Sequence, residues 1–464
     1  MAMLEVKDLK VYFQIMKGTV KAVDGVSFKL ENGETMGLVG ESGCGKTTTA
    51  FAVTQLLPGN GRIVGGEIYF DGQLVGHGDL PMEIHEALSS DTWFEDVKWI
   101  VSRVDGDTQR IMATGGEKTD LHSIVEMDIP ILESLKALLA QHSQPSDELK
   151  KEITRMVGRM VKGGSGIRRH RRRQRLAERE LRSIRWWKVS MIFQSAMNAF
   201  NPVYRIGDQI AEALLVHRGR FELYRCRSCR KNLDEGTQVQ GPAGPICPTC
   251  RKPVEHRDMT KKEAREKTLR LFDLVGIDRS RIDGFPHEFS GGMRQRSMIA
   301  MALACGPKLL IADEQTTALD VIMQDRILAE IRDLQRELGI AMIVITHDIS
   351  VVAEVAEKIG IMYAGKLFEY GDIADIFQNP GNPYTLGLMG AFPSIKGARK
   401  RLKSIPGSPP DLMKPPSGCS FHPRCPFAKD ICKAEKPPTI MVAPNHWSHC
   451  HFATDVYSGK LREA

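Results

Sequence analysis

The run Gly40-Glu-Ser-Gly-Cys-Gly-Lys46-Thr47 constrains this chain more than any other feature. The apolar residues 35–39 precede it and read as a buried strand. Residues 48–57 follow and read as a helix that Pro58-Gly59 stops. Strand, Gly-rich loop and helix form the setting that a phosphate-binding P-loop needs. Gly40, Gly43 and Gly45, with Ser42 and Cys44 between them, let backbone N–H groups curl around an anion. The helix that begins near Thr48 adds the partial positive charge of its N-terminus. Lys46 can reach the β- and γ-phosphates of a nucleotide, and the Thr47 hydroxyl can ligate Mg²⁺. A chance Gly-rich turn is the competing reading, and the flanking strand and helix weigh against it.

The 464 residues are 42% hydrophobic and 26% charged, a globular balance with room for two or more domains. No apolar run approaches the length of about 18 residues that reads as a transmembrane helix. Residues 1–8 lack the apolar stretch of a signal peptide, which predicts an intracellular chain. The net charge of +7 is mild. It points to an anionic partner without choosing among nucleotide, membrane surface and nucleic acid. Ten cysteines in such a chain point to metal sites before disulfides.

Residues 4–30 alternate in the manner of strands. Phe13 in that early sheet is placed to stack on a purine, with Tyr12 second; plain packing of either ring fits the pattern equally. Residues 79–185 change character and mix charged with helix-forming stretches. Helical spacing recurs at 130–140 and 149–161, and a dense basic run occupies 168–175. That run reads as a solvated face or mobile segment ahead of a contact with anionic lipid or RNA. Order resumes at 186–194, a strand ending in Gln194.

Residues 219–258 hold Cys226-Arg-Ser-Cys229 and Cys247-Pro-Thr-Cys250, two Cys-x2-Cys pairs separated by 17 residues. Each pair can supply two thiolates from one knuckle, and four complete a tetrahedral Zn²⁺ shell. An insert of 40 residues buries little core, so a structural zinc is read ahead of a redox pair or a nucleic-acid-binding ribbon. Ser290-Gly291-Gly292 opens a helix and makes a second anion-binding end. Residues 308–314 read as a buried strand ending in Asp313, which can hold the Mg²⁺ shell, and Glu314, which can polarise an attacking water. Another buried strand, 340–346, leads into His347, which alone reads as a cap or packed residue.

With these pieces in chain order, the sequence resembles the ATP-binding subunits of ABC transporters. It carries the Walker A run 40–47, the glutamine-loop residue Gln194, the signature 289–296, the Walker B run 309–314, the D-loop Ala318-Leu-Asp320 and the switch residue His347. Residues 39–47, 198–202, 286–296 and 362–365, and the tail after Asn382-Pro-Tyr-Thr385, narrow the resemblance to the oligopeptide/dipeptide/nickel importer branch. In that tail Cys419, Cys425, Cys432 and Cys450 are spaced by 5, 6 and 17 residues. By chemistry alone four thiolates there equally fit Zn²⁺, with His422, His446, His449 and His451 as alternative ligands; the resemblance implies a [4Fe–4S] cluster. Gln315 stands where the family usually has Pro, so the turn into Thr316 is expected to be less rigid, while Glu314 is kept.

The resemblance implies an α/β fold. An ABC-type P-loop NTPase core with a helical subdomain spans 1–382. A helical/basic insertion (79–185) and a zinc-ribbon-like insertion (219–258) interrupt it, and a Cys-rich oligopeptide-transporter-type region (383–464) follows. An ATPase working as a head-to-tail pair is implied, with ATP between one subunit's P-loop and the other's Ser290, Gly291 and Gly292. The resemblance implies that Lys46 and the loop amides hold ATP, while Thr47, Gln194 and Asp313 arrange Mg²⁺ and water. The resemblance casts Glu314 as the general base, His347 as the sensor of the γ-phosphate and Asp320 as a D-loop residue. The implied partners are a paralogous ABC ATPase, two transmembrane permease subunits and an extracytoplasmic substrate-binding protein, with nucleic acid not expected. The implied location is the cytoplasmic side of the cell membrane. Peptides are the default cargo, with nickel and oligosaccharides as alternatives. A soluble ABC ATPase acting on ribosomes or nucleic acid competes, drawing on the ribbon and the basic run but lacking a second cassette or heptad repeats. A regulatory protein with a degenerate ATPase also competes, and the intact Glu314 and His347 weigh against it.

Overall fold

Every residue of the strand Thr35–Val39 is buried, as an unbroken apolar run flanked by parallel strands requires. In this computed structural model, Ala341–Thr346 and Lys358–Tyr363 pair with it in parallel, one on each side. The structure describes residues 2–90, 92–113, 120–142, 144–161, 184–194, 199–233, 239–241, 244–314, 321–391 and 405–461, with 168, 172, 175 and 182. They fall into two compact units, residues 1–185 with 341–464, and residues 186–340.

In the first unit the P-loop sheet continues antiparallel through Lys366–Asp372, His446–His449 and Thr439–Ala443. Two strands of the C-terminal region 383–464 thus belong to the sheet that carries the P-loop. A separate antiparallel sheet runs in the order Gly18–Leu30, Leu4–Ile15, Gly61–Phe70, Gln73–His77. Leu4, Val6, Leu9, Val11 and Tyr12 are its buried residues on Leu4–Ile15. Helices Leu80–Ala87, Trp93–Ala113, Ile129–Gln141 and Asp147–Val161 close on a core of their own. Leu149, Ile153 and Val157, four residues apart on one helix face, supply one side of it. Most of the basic run 168–175 lies outside the described residues. Among the described residues no helix is long and apolar enough to cross a membrane.

A buried ion cluster fastens the C-terminal strands. The His446 ring donates from Nε2 to Glu369 Oε1 at 2.7 Å and from Nδ1 to Asp375 Oδ2 at 2.6 Å. Glu369 also accepts from Gly381 N–H and the Thr385 hydroxyl. Burial by itself lowers the His446 pKa, but the two carboxylates outweigh it and hold the pKa above the ordinary value. A raised folded pKa stabilises the protein fully below the unfolded value of about 6.5 and loses that contribution as pH rises through the folded value. The melting temperature is therefore expected to fall as pH climbs above about 6.5. His446→Ala is expected to cost about 3–5 kcal/mol, because Glu369 stays buried without its counter-charge. Thermal melts of both proteins across this pH range check the point; a flat wild-type profile overturns it.

The second unit pairs Val189–Ile192 in parallel with Leu309–Asp313. Helices Ile206–Val216, Lys261–Leu274 and Gly291–Leu303 pack together. Thr260 caps the second of these in a capping box with Glu263. The insertion forms a three-stranded sheet of Val254–His256, Tyr224–Cys226 and Asn232–Leu233, beside a hairpin of Val239–Gly241 and Gly244–Ile246.

Candidate functional site

Backbone approach dictates two glycines of the P-loop, Gly40 and Gly45. A Cβ on Gly40 would sit 2.1 Å from the Met362 carbonyl oxygen. Gly45 has φ 105°, and a Cβ there would sit 2.3 Å from the Ala22 carbonyl oxygen. Gly45 leads into the helix Lys46–Val53. Lys46 is buried, and its ammonium donates to the carbonyls of Gly40 at 2.8 Å and Glu41 at 3.1 Å. Cys44 is buried; Thr47 and Thr48 are half-buried, and Ser42 and Gly43 are exposed. The loop thus presents a basic group and a helix N-terminus at the carboxyl edge of a parallel sheet, where α/β proteins bind phosphates. Thr346 pairs with Val39, so Gly40 and His347 leave neighbouring strands at the same edge. His347 is exposed there.

Phe13 is half-buried and packs over Gly61, which it faces across the strand pair. Tyr12 is committed to structure: it is buried, and its hydroxyl donates to Asp24 Oδ1 at 2.8 Å.

The second unit brings its own residues together through register. Ala312 pairs with Ile192 in the parallel ladder, so Glu314 and Gln194 each stand two residues beyond that pair. Gln194 Nε2 donates to Glu314 Oε2 at 2.5 Å, a contact between residues 120 apart in sequence. Asp313 is buried at the strand end. Glu314 has φ 41°, a costly conformation for a non-glycine residue that holds its carboxylate at a sharp turn. Ser290 is the N-cap of Gly291–Leu303, accepting from Met293 N–H at 3.3 Å. Gly291 and Gly292 are the first residues of that helix, with no acidic residue in its first turn. Asn198, Gln315, Thr316, Ala318 and Asp320 lie outside the described residues.

Cys226, Cys229, Cys247 and Cys250 place their four sulfurs all within 4.8 Å of one another. This is the spacing of a single tetrahedral ion, with Zn–S bonds of about 2.3 Å. Backbone N–H groups of the second knuckle hold the Cys247 thiol down to about 6; at Cys250 the Lys252 N–H also lowers the pKa, but the neighbouring thiols outweigh it and push that thiol up to about 11. The tail cysteines differ. Cys419, Cys425, Cys432 and Cys450 line one cavity with Phe421, Phe427 and Phe452. Among the described residues no three ligand atoms of this group share the close mutual spacing of the ribbon site. Burial pushes the Cys425 thiol up to about 11 and the Cys450 thiol up to about 12. His422, His449 and His451 border the same cavity. His446 does not: its two ring nitrogens are taken by Glu369 and Asp375, which removes it as an alternative ligand.

Sequence reading missed Glu41, Tyr384 and Arg424. Arg424 precedes a tail cysteine and grips Glu41 inside the P-loop. The two are 383 residues apart, and no local pattern announces the contact.

A P-loop on a buried parallel strand and an Asp-Glu pair ending another define the class of P-loop ATPases. The chain belongs to the ABC transporter family of ATPases: residues 23–111 and 135–317 match it, and residues 368–432 match the oligopeptide/dipeptide transporter C-terminal region. It is 34% identical over 97% of its length to the oligopeptide transport ATP-binding protein OppD of Salmonella typhimurium, covering 93% of that protein. Similar likenesses hold for the dipeptide transport ATP-binding proteins DppD of Escherichia coli, 32% identical over 98% of this chain and 98% of that one, and of Bacillus subtilis, 33% over 96% and 93%.

Proposed function

We propose that this chain is the ATP-hydrolysing subunit of an ABC importer for di- and oligopeptides, working from the cytoplasmic face of the membrane on separate permease subunits. The observation that carries the reading is the oligopeptide/dipeptide transporter C-terminal region, joined to an ATPase whose relatives across almost the whole chain are named for oligopeptide and dipeptide transport. Lys46 and the loop amides of residues 40–47 bind the nucleotide phosphates, and Phe13 stacks on the base. Thr47, Gln194 and Asp313 hold Mg²⁺, which when bound neutralises charge on the β- and γ-phosphates. Glu314 takes the proton of the attacking water, and its bond to Gln194 supports that placement. His347 meets the γ-phosphate, Asp320 belongs to the D-loop, and Ser290, Gly291 and Gly292 complete the site of a second, paralogous ATPase. A substrate-binding protein outside the membrane supplies the cargo.

The residues present fit two metal groups. Cys226, Cys229, Cys247 and Cys250 hold a structural Zn²⁺. Cys419, Cys425, Cys432 and Cys450 hold a [4Fe–4S] cluster, because four thiols round one cavity, Cys432 buried and the others half-buried, without the close mutual spacing of the first site, suit a larger group. That cluster supplies a rigid cross-link or an electron-transfer centre.

Solubilised membranes are expected to yield the chain with two permease subunits and a second ATPase, and their loss to abolish uptake of labelled oligopeptides. Recovery only from the soluble fraction, bound to RNA through high salt, overturns the importer reading.

A further inference from the structure

The guanidinium of Arg424 spends all five of its N–H groups. Nη1 and Nη2 donate to the two carboxylate oxygens of Glu41 at 2.7 and 2.9 Å. Nε donates to the Pro406 carbonyl at 2.7 Å, Nη1 also to the Tyr363 hydroxyl at 3.3 Å, and Nη2 to the Gly407 carbonyl at 3.4 Å. Its side chain is only 6% exposed. A two-pronged, charge-assisted contact of this kind fixes orientation as well as distance. Glu41 lies between Gly40 and Ser42, within the phosphate loop itself. Its backbone is pinned as well: its N–H donates to the Tyr384 hydroxyl at 3.1 Å, and its carbonyl accepts from the Lys46 ammonium. Phe421 packs on the rings of both Tyr363 and Tyr384, at 5.2 and 5.3 Å between centroids. Arg424 adjoins Cys425, which lines the tail cysteine cavity.

We propose that Arg424 is a positioning residue for nucleotide binding: through its fork on Glu41, the cysteine-rich tail clamps the phosphate loop in the shape that receives ATP. This rests on the reading of residues 40–47 as the ATP site. A loop amide that must reorganise on binding loses affinity, whereas a loop already held does not. The contact gives the tail a direct hold on the loop, beside the two C-terminal strands that lie in the P-loop sheet.

The test is titration of the purified full chain with a fluorescent ATP analogue, with iron and zinc measured on the same samples. Arg424→Gln is expected to weaken binding about tenfold, roughly 1.4 kcal/mol, with metal content unchanged. KM for ATP should rise by more than kcat falls. Arg424→Lys should recover only part of the loss, since an ammonium cannot grip both oxygens. Glu41→Gln should weaken binding similarly, and the double variant should be no worse than either single one. Wild-type affinity in both single variants, additive losses in the double variant, or metal loss accompanying the weaker binding each overturns the proposal. Failure of the wild-type chain itself to bind ATP instead overturns the reading of the ATP site.

Discussion

Glu314→Gln is expected to lower steady-state ATP hydrolysis by about 10²–10⁴-fold while leaving ATP binding intact. The substitution keeps the shape of the side chain and removes its basic oxygen. Gln194 donates its Nε2 hydrogen to Oε2 of that carboxylate, which fixes the orientation of the side chain. Register sets that aim: Ala312 pairs with Ile192, and two residues further on the parallel strands bring Glu314 beside Gln194. The φ of 41° at Glu314 is a conformation few side chains adopt. Phosphate release and nucleotide titration on the same preparation separate the two effects. A variant hydrolysing within about threefold of wild type places the base elsewhere. Loss of binding as well shows that the substitution damaged the fold.

The residues that carry chemistry through short spacing were legible without a structure. In the P-loop, close backbone approach places Gly40 and Gly45 where only glycine fits. The two Cys-x2-Cys knuckles were legible for the same reason, since each is a local turn. Contacts across hundreds of residues were not. Nothing near Arg424 points to Glu41, because a guanidinium in a Pro-rich tail has no periodic signature. His446 sat among histidines that read as ligands, and only its burial between Glu369 and Asp375 separates it from them. Tyr12 and Phe13 are neighbours on one strand, so their opposite faces decide which ring is committed, and alternation alone does not say which face meets a ligand. The helical insertion shows the same limit from the other side. Its apolar spacing predicts helices at 130–140 and 149–161, and Leu149, Ile153 and Val157 build a core there, but packing of that kind carries no chemistry to read.

Removing metal from the ribbon is expected to unfold residues 224–256 locally. The two knuckles are near copies: Cys226 N–H donates to the Lys231 carbonyl at 2.9 Å and Cys247 N–H to that of Lys252 at 2.9 Å. Arg230 and Arg251 both take left-handed backbone conformations, at φ 57° and 58°, to close the turns. Among the described residues of 224–256, the buried cluster is Cys226, Leu233 and Cys247, and two of those are thiols of the four-cysteine group. So small a core does not offset the chain entropy of ordering the strands around it, at about 1–2 kcal/mol per residue for the backbone alone. A structural zinc contributes on the order of 10 kcal/mol and supplies what packing does not. Wild-type protein should carry one zinc at this site, and Cys247→Ser or a strong chelator should release it. Amide-exchange protection of Tyr224–Cys226 and Val254–His256 should then collapse, while that of Thr35–Val39 in the other unit persists. If the ribbon strands stay protected after zinc is gone, the four thiols are held by packing, and the metal is a passenger in a fold that does not need it.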